Sequence, residues 1–295
     1  MTTATTPAQR ESLWLSMLGA ETRYYDAAGV RTRALEAGDG EPLIMMHGVG
    51  GHAEAFARNV VPLGKHFRTI AIDLLGHGLT GSIDGPLTKE AYTKHLADFM
   101  DAAGIEKANL LGESLGGWIA VMMSRFYPER VGKIVYTVGA RLEVPVDEAS
   151  AKRTAHGRAE LIRLTKQFQA NPSRANVHER LKWLFHKPER DITDELIDLR
   201  WELYRRTEAG GVRGHAGGGA ASDDALTPER LRTITHPMLV LWTEFNPSAA
   251  VAEAQSAMNY LPNAELKVMQ DCGHWPQWEH PETFHEIVRE YLQRQ

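Results

Sequence analysis

The stretch that decides the fold of this chain is Leu110-Leu111-Gly112-Glu113-Ser114-Leu115-Gly116-Gly117-Trp118. Its pattern predicts a short apolar strand, a serine flanked by glycines, and then a helix. Because a serine at the apex of a tight strand-to-helix turn takes strained backbone angles, Gly112 and Gly116 must lack side chains where the neighbouring elements crowd together. The helix begins at the serine, so its unpaired N–H groups face the place where negative charge would develop. The stretch therefore predicts a nucleophile elbow with Ser114 as the nucleophile.

A second glycine-rich segment follows an earlier strand. The continuous apolar run 42–46 is typical of a strand buried on both faces, and it ends in His47-Gly48-Val49-Gly50-Gly51. Backbone N–H groups in such a loop can point at a ligand. We therefore predict an oxyanion hole built from the N–H groups of Leu115 and Val49, with Gly50 contributing to substrate binding. A tight turn without a ligand is the alternative for this loop, and for the His47 side chain we expect a structural role.

Strands and helices alternate through most of the chain, beginning with a β-hairpin over residues 23–35. This alternation predicts an α/β fold with a mainly parallel, doubly wound sheet and active groups at the carboxyl ends of its strands. The rhythm changes after about residue 140, where no apolar strand appears and helical segments dominate, over residues 159–169, 177–185 and 194–206. We expect a core from residues 1–140 and 228–295 and a helical cap from 141–227. The glycine-rich segment 210–221 within the cap predicts a mobile loop whose role stays open.

The serine needs a base, and the base needs a partner that orients it. His274 lies in a glycine-containing loop after the last predicted strand, which favours it as the base over a solvated loop histidine. The acid is expected after the strand 238–242, where the chain carries Asn246. An asparagine accepts a hydrogen bond from the imidazole but brings no negative charge. Glu143 and Glu244 are therefore kept as alternative acids.

Composition excludes several other classes of protein. The 295 residues are 43% hydrophobic and 24% charged, with a net charge of -5 and no run of basic residues that would meet nucleic-acid phosphates. No stretch reaches the length of a membrane span, and the polar opening lacks the apolar core of a secretory signal, so a cytoplasmic location is expected. The single cysteine, Cys272, excludes an internal disulfide and a multi-cysteine zinc site. We expect Cys272 to be a small buried apolar residue rather than a reactive thiol.

These motifs resemble those of the meta-cleavage product hydrolases, which are α/β-hydrolases of bacterial aromatic catabolism. The resemblance covers most of the core, and its most specific part is Cys272-Gly273-His274-Trp275-Pro276-Gln277-Trp278-Glu279-His280-Pro281. It also includes His47 to Gly51, Asp73 to Gly78 and Gly112 to Gly117. The resemblance implies an α/β-hydrolase fold with a helical cap and a serine enzyme that needs no cofactor or metal.

Activity and substrate contacts are also implied by the resemblance. The family hydrolyses a carbon–carbon bond in 2-hydroxy-6-oxo-hexa-2,4-dienoate compounds, and a cap arginine holds the substrate carboxylate. Arg200, in Leu199-Arg200-Trp201-Glu202, inherits that role, and Trp275 is similar to the family's pocket tryptophan. A surface ion pair is the alternative for Arg200. This chain departs from the pattern at Glu113 and Ala55, where many members carry asparagine, and at Asn246.

Three functions follow as hypotheses. The first is carbon–carbon bond hydrolysis of a small acidic dienoate. The second is a carboxylesterase or lactonase on the same fold, which a solvent-facing Arg200 would favour. The third is a hydrolase-fold binding protein with low turnover, for which Asn246 is the argument. We expect a small-molecule substrate and no nucleic-acid or membrane partner, and the sequence leaves the oligomeric state open, a homo-oligomer included.

Overall fold

Eight strands form one sheet in the computed structural model, which describes residues 12–206 and 225–294. Their order across the sheet is β1-β2-β4-β3-β5-β6-β7-β8. The strands are β1 (Glu21–Ala27), β2 (Val30–Ala37), β3 (Glu41–Met46), β4 (Phe67–Ile72), β5 (Ala108–Glu113), β6 (Val131–Thr137), β7 (Met238–Thr243) and β8 (Ala264–Met269).

The six neighbouring strands β4, β3, β5, β6, β7 and β8 all pair in parallel. The predicted hairpin is confirmed, since β1 pairs antiparallel with β2 at the edge, and β2 pairs antiparallel with β4. Parallel strands align their carboxyl ends at one edge, so the loops after β3, β5, β7 and β8 open on the same side of the sheet. The α/β fold predicted from the alternation of strands and helices is therefore present.

Helices cover both faces of the sheet and the edge where the parallel strands end. They are α1 (Leu13–Ser16), α2 (Val60–Gly64), α3 (Lys89–Ala102), α4 (Leu115–Phe126), α5 (Glu148–Ala170), α6 (Arg174–Leu184), α7 (Pro188–Asp191), α8 (Asp194–Arg206), α9 (Pro228–Leu231), α10 (Val251–Ala257), α11 (Pro276–Glu279) and α12 (Pro281–Gln293). Short 3₁₀ turns cover Ala53–Phe56 and Pro128–Arg130.

Two helical segments differ from the bounds that the sequence indicates. The apolar pattern over residues 53–63 suggests one helix, but the structure has a 3₁₀ turn followed by α2. Helix α5 begins eleven residues earlier than residue 159, because the Asp147 side chain caps it by accepting the Ser150 N–H at 3.0 Å. The short helix α7 has no counterpart in the sequence prediction.

The sheet separates two apolar cores. Alternate residues of β3 enter opposite cores, with Leu43 and Met45 on one side and Ile44 and Met46 on the other, and all four are fully buried. This two-sided burial is the reason that β3 is a continuous apolar run rather than an alternating one.

The four helices α5 to α8 lie between β6 and β7 in the chain, and we call them the cap helices. Helix α5 packs on α6, and α6 packs on α8. Phe168, Leu181 and Leu196 contribute one side chain from each of these three helices to an apolar core that also contains Trp275. The predicted glycine-rich loop 210–221 lies outside the described residues.

Within the part of the chain that the structure describes, no helix combines the length and the apolar character required to cross a membrane.

Candidate active site

Ser114 lies at the bend between β5 and α4. Its φ is 52°, in the left-handed region that a residue with a side chain rarely adopts. The flanking glycines are required by close packing: a Cβ on Gly112 would come within 2.1 Å of the Gly116 carbonyl carbon, and one on Gly116 within 2.1 Å of the Met46 oxygen. The geometry is that of the predicted nucleophile elbow.

The predicted oxyanion donors flank the serine. The N–H of Leu115 is the first of α4, so it lies outside the hydrogen-bond ladder of that helix. The loop after β3 carries Val49 and Gly50, and Gly50 has a φ of 66° that suits glycine. Val49 and Ser114 line the same cavity. The His47 side chain faces the protein interior, where its Nε2 accepts the Leu74 N–H at 3.1 Å, as expected for a structural histidine.

His274 lies in the loop between β8 and α11 and is only 3% exposed, so it is not a solvated loop histidine. Two side chains fix the preceding glycine, since Thr243 Oγ1 donates to the Gly273 oxygen at 2.6 Å and Glu279 Oε1 accepts the Gly273 N–H at 2.9 Å. The backbone N–H of His274 donates to the oxygen of Leu184 at the end of α6, at 2.7 Å. The loop is therefore held from the core and from the cap.

Asn246 occupies the position of the acid. It is fully buried in the loop after β7, and its Oδ1 lies 2.8 Å from His274 Nδ1. The same oxygen accepts the backbone N–H of Ser248 at 3.3 Å and the Ser248 hydroxyl at 3.0 Å. Because a backbone N–H can only donate, this atom is the amide oxygen, and His274 Nδ1 must carry a proton. Asn246 thus fixes the tautomer in which Nε2 is the basic nitrogen.

The alternative acids lie elsewhere. Glu143 is exposed, and Glu244 is exposed with its Oε2 accepting the Asp271 N–H at 3.1 Å. Among the described residues, neither carboxylate makes an ion pair or a hydrogen bond with His274. The structure brings Asn246 to the histidine and brings neither Glu143 nor Glu244.

Glu113 is a neighbour of the histidine that the sequence does not assign to the site. The residue ends β5, directly before the nucleophile, and is 1% exposed. Its Oε1 lies 3.0 Å from His274 Nε2, and its Oε2 accepts the Gly48 N–H at 2.6 Å. The only signal in the sequence is the acidic residue in a position where the family often has asparagine. That signal does not predict which residue the carboxylate contacts, because the side chain reaches His274 through the packing of three separate loops.

Arg200 lies on α8, is 6% exposed, and has no ion-pair partner among the described residues, so the surface ion-pair alternative is wrong. Its Nη1 is buried and has no hydrogen-bond partner within residues 12–206 and 225–294. The guanidinium carbon lies 5.3 Å from the centre of the Trp275 ring, within cation–π range. Burial is the main cause that lowers the pKa of Arg200, to about 9, and the neighbouring Arg180 lowers it further.

Arg180, on α6, is a second buried cation that the sequence does not single out. Its Nη2 donates to the Val49 oxygen at 3.0 Å, and its Nη1 donates to Thr165 Oγ1 at 2.5 Å. Burial lowers the pKa of Arg180 to about 10, whereas the charge of Glu113 raises it. A helix residue such as Arg180 gives no sequence signal for this role, because an arginine on a cap helix is equally typical of a solvated face.

Two adjoining cavities connect these groups. The inner one is lined by Ser114, His274, Val49, Glu113 and Trp275 together with both arginines. The outer one is lined by Gly50 and both arginines and by apolar cap residues. Ser114, His274, Glu113 and the two buried guanidinium groups thus line adjoining cavities beneath the cap helices.

Cys272 lies outside this space. It is fully buried, as expected for a small apolar residue, and burial raises the pKa of its thiol far above the ordinary value. A thiol in this state is a poor nucleophile.

The chain is similar in sequence to a family and to several characterised enzymes. The model of the alpha/beta hydrolase fold matches residues 41–281. A 2-hydroxy-6-oxononadienedioate/2-hydroxy-6-oxononatrienedioate hydrolase of Pseudomonas sp. is 32% identical, over 88% of this chain and 90% of that protein. A 2-hydroxymuconate semialdehyde hydrolase of Pseudomonas sp. (strain CF600) is 31% identical, over 90% of this chain and 92% of that protein.

Solved structures agree with these relatives. A serine hydrolase involved in carbazole degradation superimposes with a TM-score of 0.74 at 28% identity, covering 92% of this chain and 98% of that one. A meta-cleavage product hydrolase from Pseudomonas fluorescens IP01 has a TM-score of 0.74 at 26% identity, covering 93% of this chain and 98% of that one. The chain is therefore an enzyme of the α/β-hydrolase fold family and belongs, within it, to the meta-cleavage product hydrolases.

Proposed function

We propose that this enzyme hydrolyses a carbon–carbon bond in an acidic dienoate of the 2-hydroxy-6-oxo-hexa-2,4-dienoate type, a ring-fission product of aromatic catabolism. The substrates in the names of the relatives support this class of compound. The single observation that carries the proposal is the buried guanidinium of Arg200, which lines the same cavity as Ser114 and His274.

The argument for an acidic substrate is electrostatic. Burying a cation without a partner costs free energy, and a bound carboxylate would offset that cost through charge-assisted hydrogen bonds. In the part of the chain that the structure describes, Arg200 Nη1 has no partner, and Arg180 adds a second positive charge to the same cavity. Arg200 does not face solvent, and a solvent-facing Arg200 was the observation that would have favoured a simple esterase.

Trp275 would shape the same end of the site. Its ring is 2% exposed and lies between Arg200 and the apolar core under the cap. A flat indole beside a guanidinium presents a surface on which a planar conjugated acid can stack, with its carboxylate directed at the arginine. We propose that Arg200, Trp275 and Gly50 bind the dienoate end of the substrate.

The remaining groups suit acyl transfer. His274, with Nδ1 protonated, has Nε2 free to move the enol proton of the substrate onto carbon, which produces the ketone form. Nε2 then accepts the proton of Ser114 as Oγ attacks the 6-oxo carbonyl, and the N–H groups of Leu115 and Val49 stabilise the oxyanion. Collapse of this oxyanion breaks the carbon–carbon bond next to the 6-oxo carbon, and the new 2-oxo group takes up the electron pair as a dienolate. The imidazolium returns its proton to the departing dienolate, and water hydrolyses the acyl-serine that remains.

The first test is a paired assay of the wild-type enzyme. A yellow dienoate should lose its absorbance, and p-nitrophenyl acetate should be turned over more slowly. Ser114→Ala should reduce both activities by at least about 1,000-fold, because removing the nucleophile of such a triad leaves only binding and the oxyanion hole. Ser82→Ala, which removes an exposed serine hydroxyl, is the matched control and should behave as wild type.

The outcomes separate the three hypotheses. Ester turnover without loss of dienoate absorbance would select the carboxylesterase or lactonase. Dienoate binding without turnover of either compound would select the binding protein with low turnover. Full activity of Ser114→Ala would contradict every serine-dependent mechanism.

A further inference from the structure

We propose that Glu113 supplies the negative charge that the catalytic histidine lacks in this chain, so that the two tasks of a triad acid are divided between Asn246 and Glu113. This inference rests on the proposed function of Ser114 and His274 as nucleophile and base. It goes beyond that function because it assigns a role to a residue outside the expected triad.

The first task, holding the imidazole, is already met by Asn246. Its Oδ1 is fixed by Ser248 and accepts the His274 Nδ1–H at 2.8 Å. An amide cannot, however, offset the charge of the imidazolium that forms when Nε2 takes a proton. In a site that is almost closed to water, an imidazolium without a counter-charge is expensive. A carboxylate elsewhere around the ring would lower that cost.

Glu113 is the carboxylate that reaches the ring. Its Oε1 lies 3.0 Å from His274 Nε2, and the side chains of both residues are at most 4% exposed. Among the described residues, Oε1 has no hydrogen-bond partner, so its contact with the ring is electrostatic. At this distance the carboxylate is close enough to stabilise a positive charge on the ring.

The surroundings keep this carboxylate in place. Oε2 accepts the Gly48 N–H at 2.6 Å, and a Cβ at Gly48 would lie only 2.6 Å from the same oxygen, so glycine is required at that position. Arg180 and Arg200 also face the carboxylate at longer range, and Glu113 raises the pKa of both guanidinium groups. Glu113 is therefore fixed through one N–H donor and faces the two cations.

The test is a double-mutant cycle between the two tasks. Glu113→Gln preserves size and can still accept the Gly48 N–H, but it removes the charge. We expect kcat to fall by roughly 10- to 100-fold, the range for losing a charged contact in a buried site. Asn246→Asp alone should raise kcat by roughly 3- to 30-fold, far less than the ~10⁴-fold that a charge contributes at this position of a triad, because a negative charge already faces the ring.

The double variant Glu113→Gln/Asn246→Asp is decisive, because it moves the charge from one ring nitrogen to the other. We expect it to recover to within about tenfold of wild type, a non-additive result that a purely structural role for Glu113 would not produce. Unchanged activity of Glu113→Gln, equal losses in the single and double variants, or a gain of 100-fold or more in Asn246→Asp would each overturn the proposal.

A second readout separates this proposal from the proposed substrate. The rate at which a fluorophosphonate labels Ser114 reports the strength of the base without any dienoate. Across the wild type, the two single variants and the double variant, this labelling rate should rank in the same order as kcat. Thermal unfolding shows whether each variant is folded. If Glu113→Gln does not fold, the kcat of Asn246→Asp still tests the proposal. Normal labelling of Glu113→Gln would refute the role of Glu113, whereas failure of wild-type enzyme to cleave dienoates would refute only the substrate.

Discussion

At the scale of single residues, the site departs from a standard serine hydrolase at the partners of the base. The positions of Ser114, His274 and Asn246 were predictable from the sequence, because each follows a strand and lies in a loop with a recognisable composition. Glu113 and Arg180 were not, since their roles depend on distances between side chains from different elements. Glu113 reaches the Gly48 N–H only because β5 pairs with β3 in the register that places Gly112 opposite Met46.

Arg200 gives a prediction at this scale. Replacing it with alanine removes the charge and the hydrogen bonds offered to a substrate carboxylate, so KM for an acidic dienoate should rise by roughly 10- to 150-fold. KM for neutral p-nitrophenyl acetate should change by less than about threefold, as measured by steady-state kinetics. Arg205→Ala, one turn and a half further along α8 and exposed beside Glu202, is the matched control.

Lysine at position 200 extends the test. It keeps the charge but loses the planar fork that binds a carboxylate through two hydrogen bonds, so it should restore only part of the affinity. Equal effects of Arg200→Ala on the acidic and the neutral substrate would remove its assigned role.

At the scale of elements, a buried ion cluster joins three segments beneath the site. Arg33 on β2 contacts Asp73 Oδ2 at 3.1 Å and Glu54 Oε2 at 3.2 Å. Asp73 lies after β4, and its Oδ1 accepts the Ala53 N–H at 2.7 Å. One cluster therefore fixes the loops after β3 and β4, whereas the sequence shows only charged residues near glycine-rich turns.

Breaking this cluster should be costly. Arg33→Met leaves two buried carboxylates without their cation, and the free energy of unfolding should fall by about 3–5 kcal/mol. Urea unfolding followed by circular dichroism measures the change. Arg23→Met on β1 removes an exposed ion pair with Glu21 and should leave the free energy of unfolding nearly unchanged. Similar losses in the two variants would show that the cluster does not stabilise the loops as described.

At the scale of the whole molecule, buried histidines link stability to pH. Burial lowers the pKa of His77 and of His95 to about 4 in the folded protein, below the value of 6.5 expected when unfolded. The unfolded chain therefore binds more protons between these values. Each such histidine contributes stability that is fully present above pH 6.5 and is lost as pH falls towards 4.

His95 tests this linkage away from the site. It lies on α3, and its Nε2 is 2.8 Å from the Thr32 hydroxyl, which itself donates to the Val30 oxygen, so Nε2 is the donor in this pair. His95→Gln keeps a donor but cannot titrate. Below pH 6.5, the unfolding free energy of the wild type should fall more steeply than that of the variant, by up to about 1.4 kcal/mol per pH unit.

The control for this experiment is His156→Gln, which changes an exposed histidine on α5. It should retain the wild-type dependence on pH in urea unfolding between pH 7.5 and 5. Parallel curves for His95→Gln and wild type would contradict the linkage.

The fold as a whole was predictable because central strands such as β3 and β7 are buried on both faces and are therefore continuous apolar runs. The bounds of the helices were less predictable. The break between the 3₁₀ turn at Ala53–Phe56 and α2 depends on how the turn packs on β4 and α11 and how α2 packs on β4. Helix α5 begins at the capping side chain of Asp147. This cap is a local signal in the sequence, but the first turns of the helix are only weakly amphipathic, so the apolar pattern did not indicate the start.

The hydrogen bond from the His274 backbone to Leu184 has a practical consequence for engineering. Glu279 completes the same junction, because it accepts N–H groups from both His186 and Gly273. Grafting a foreign cap onto this scaffold to alter its substrate range would therefore disturb the general base unless residues 184–186 and 273–279 were transplanted together as one cassette.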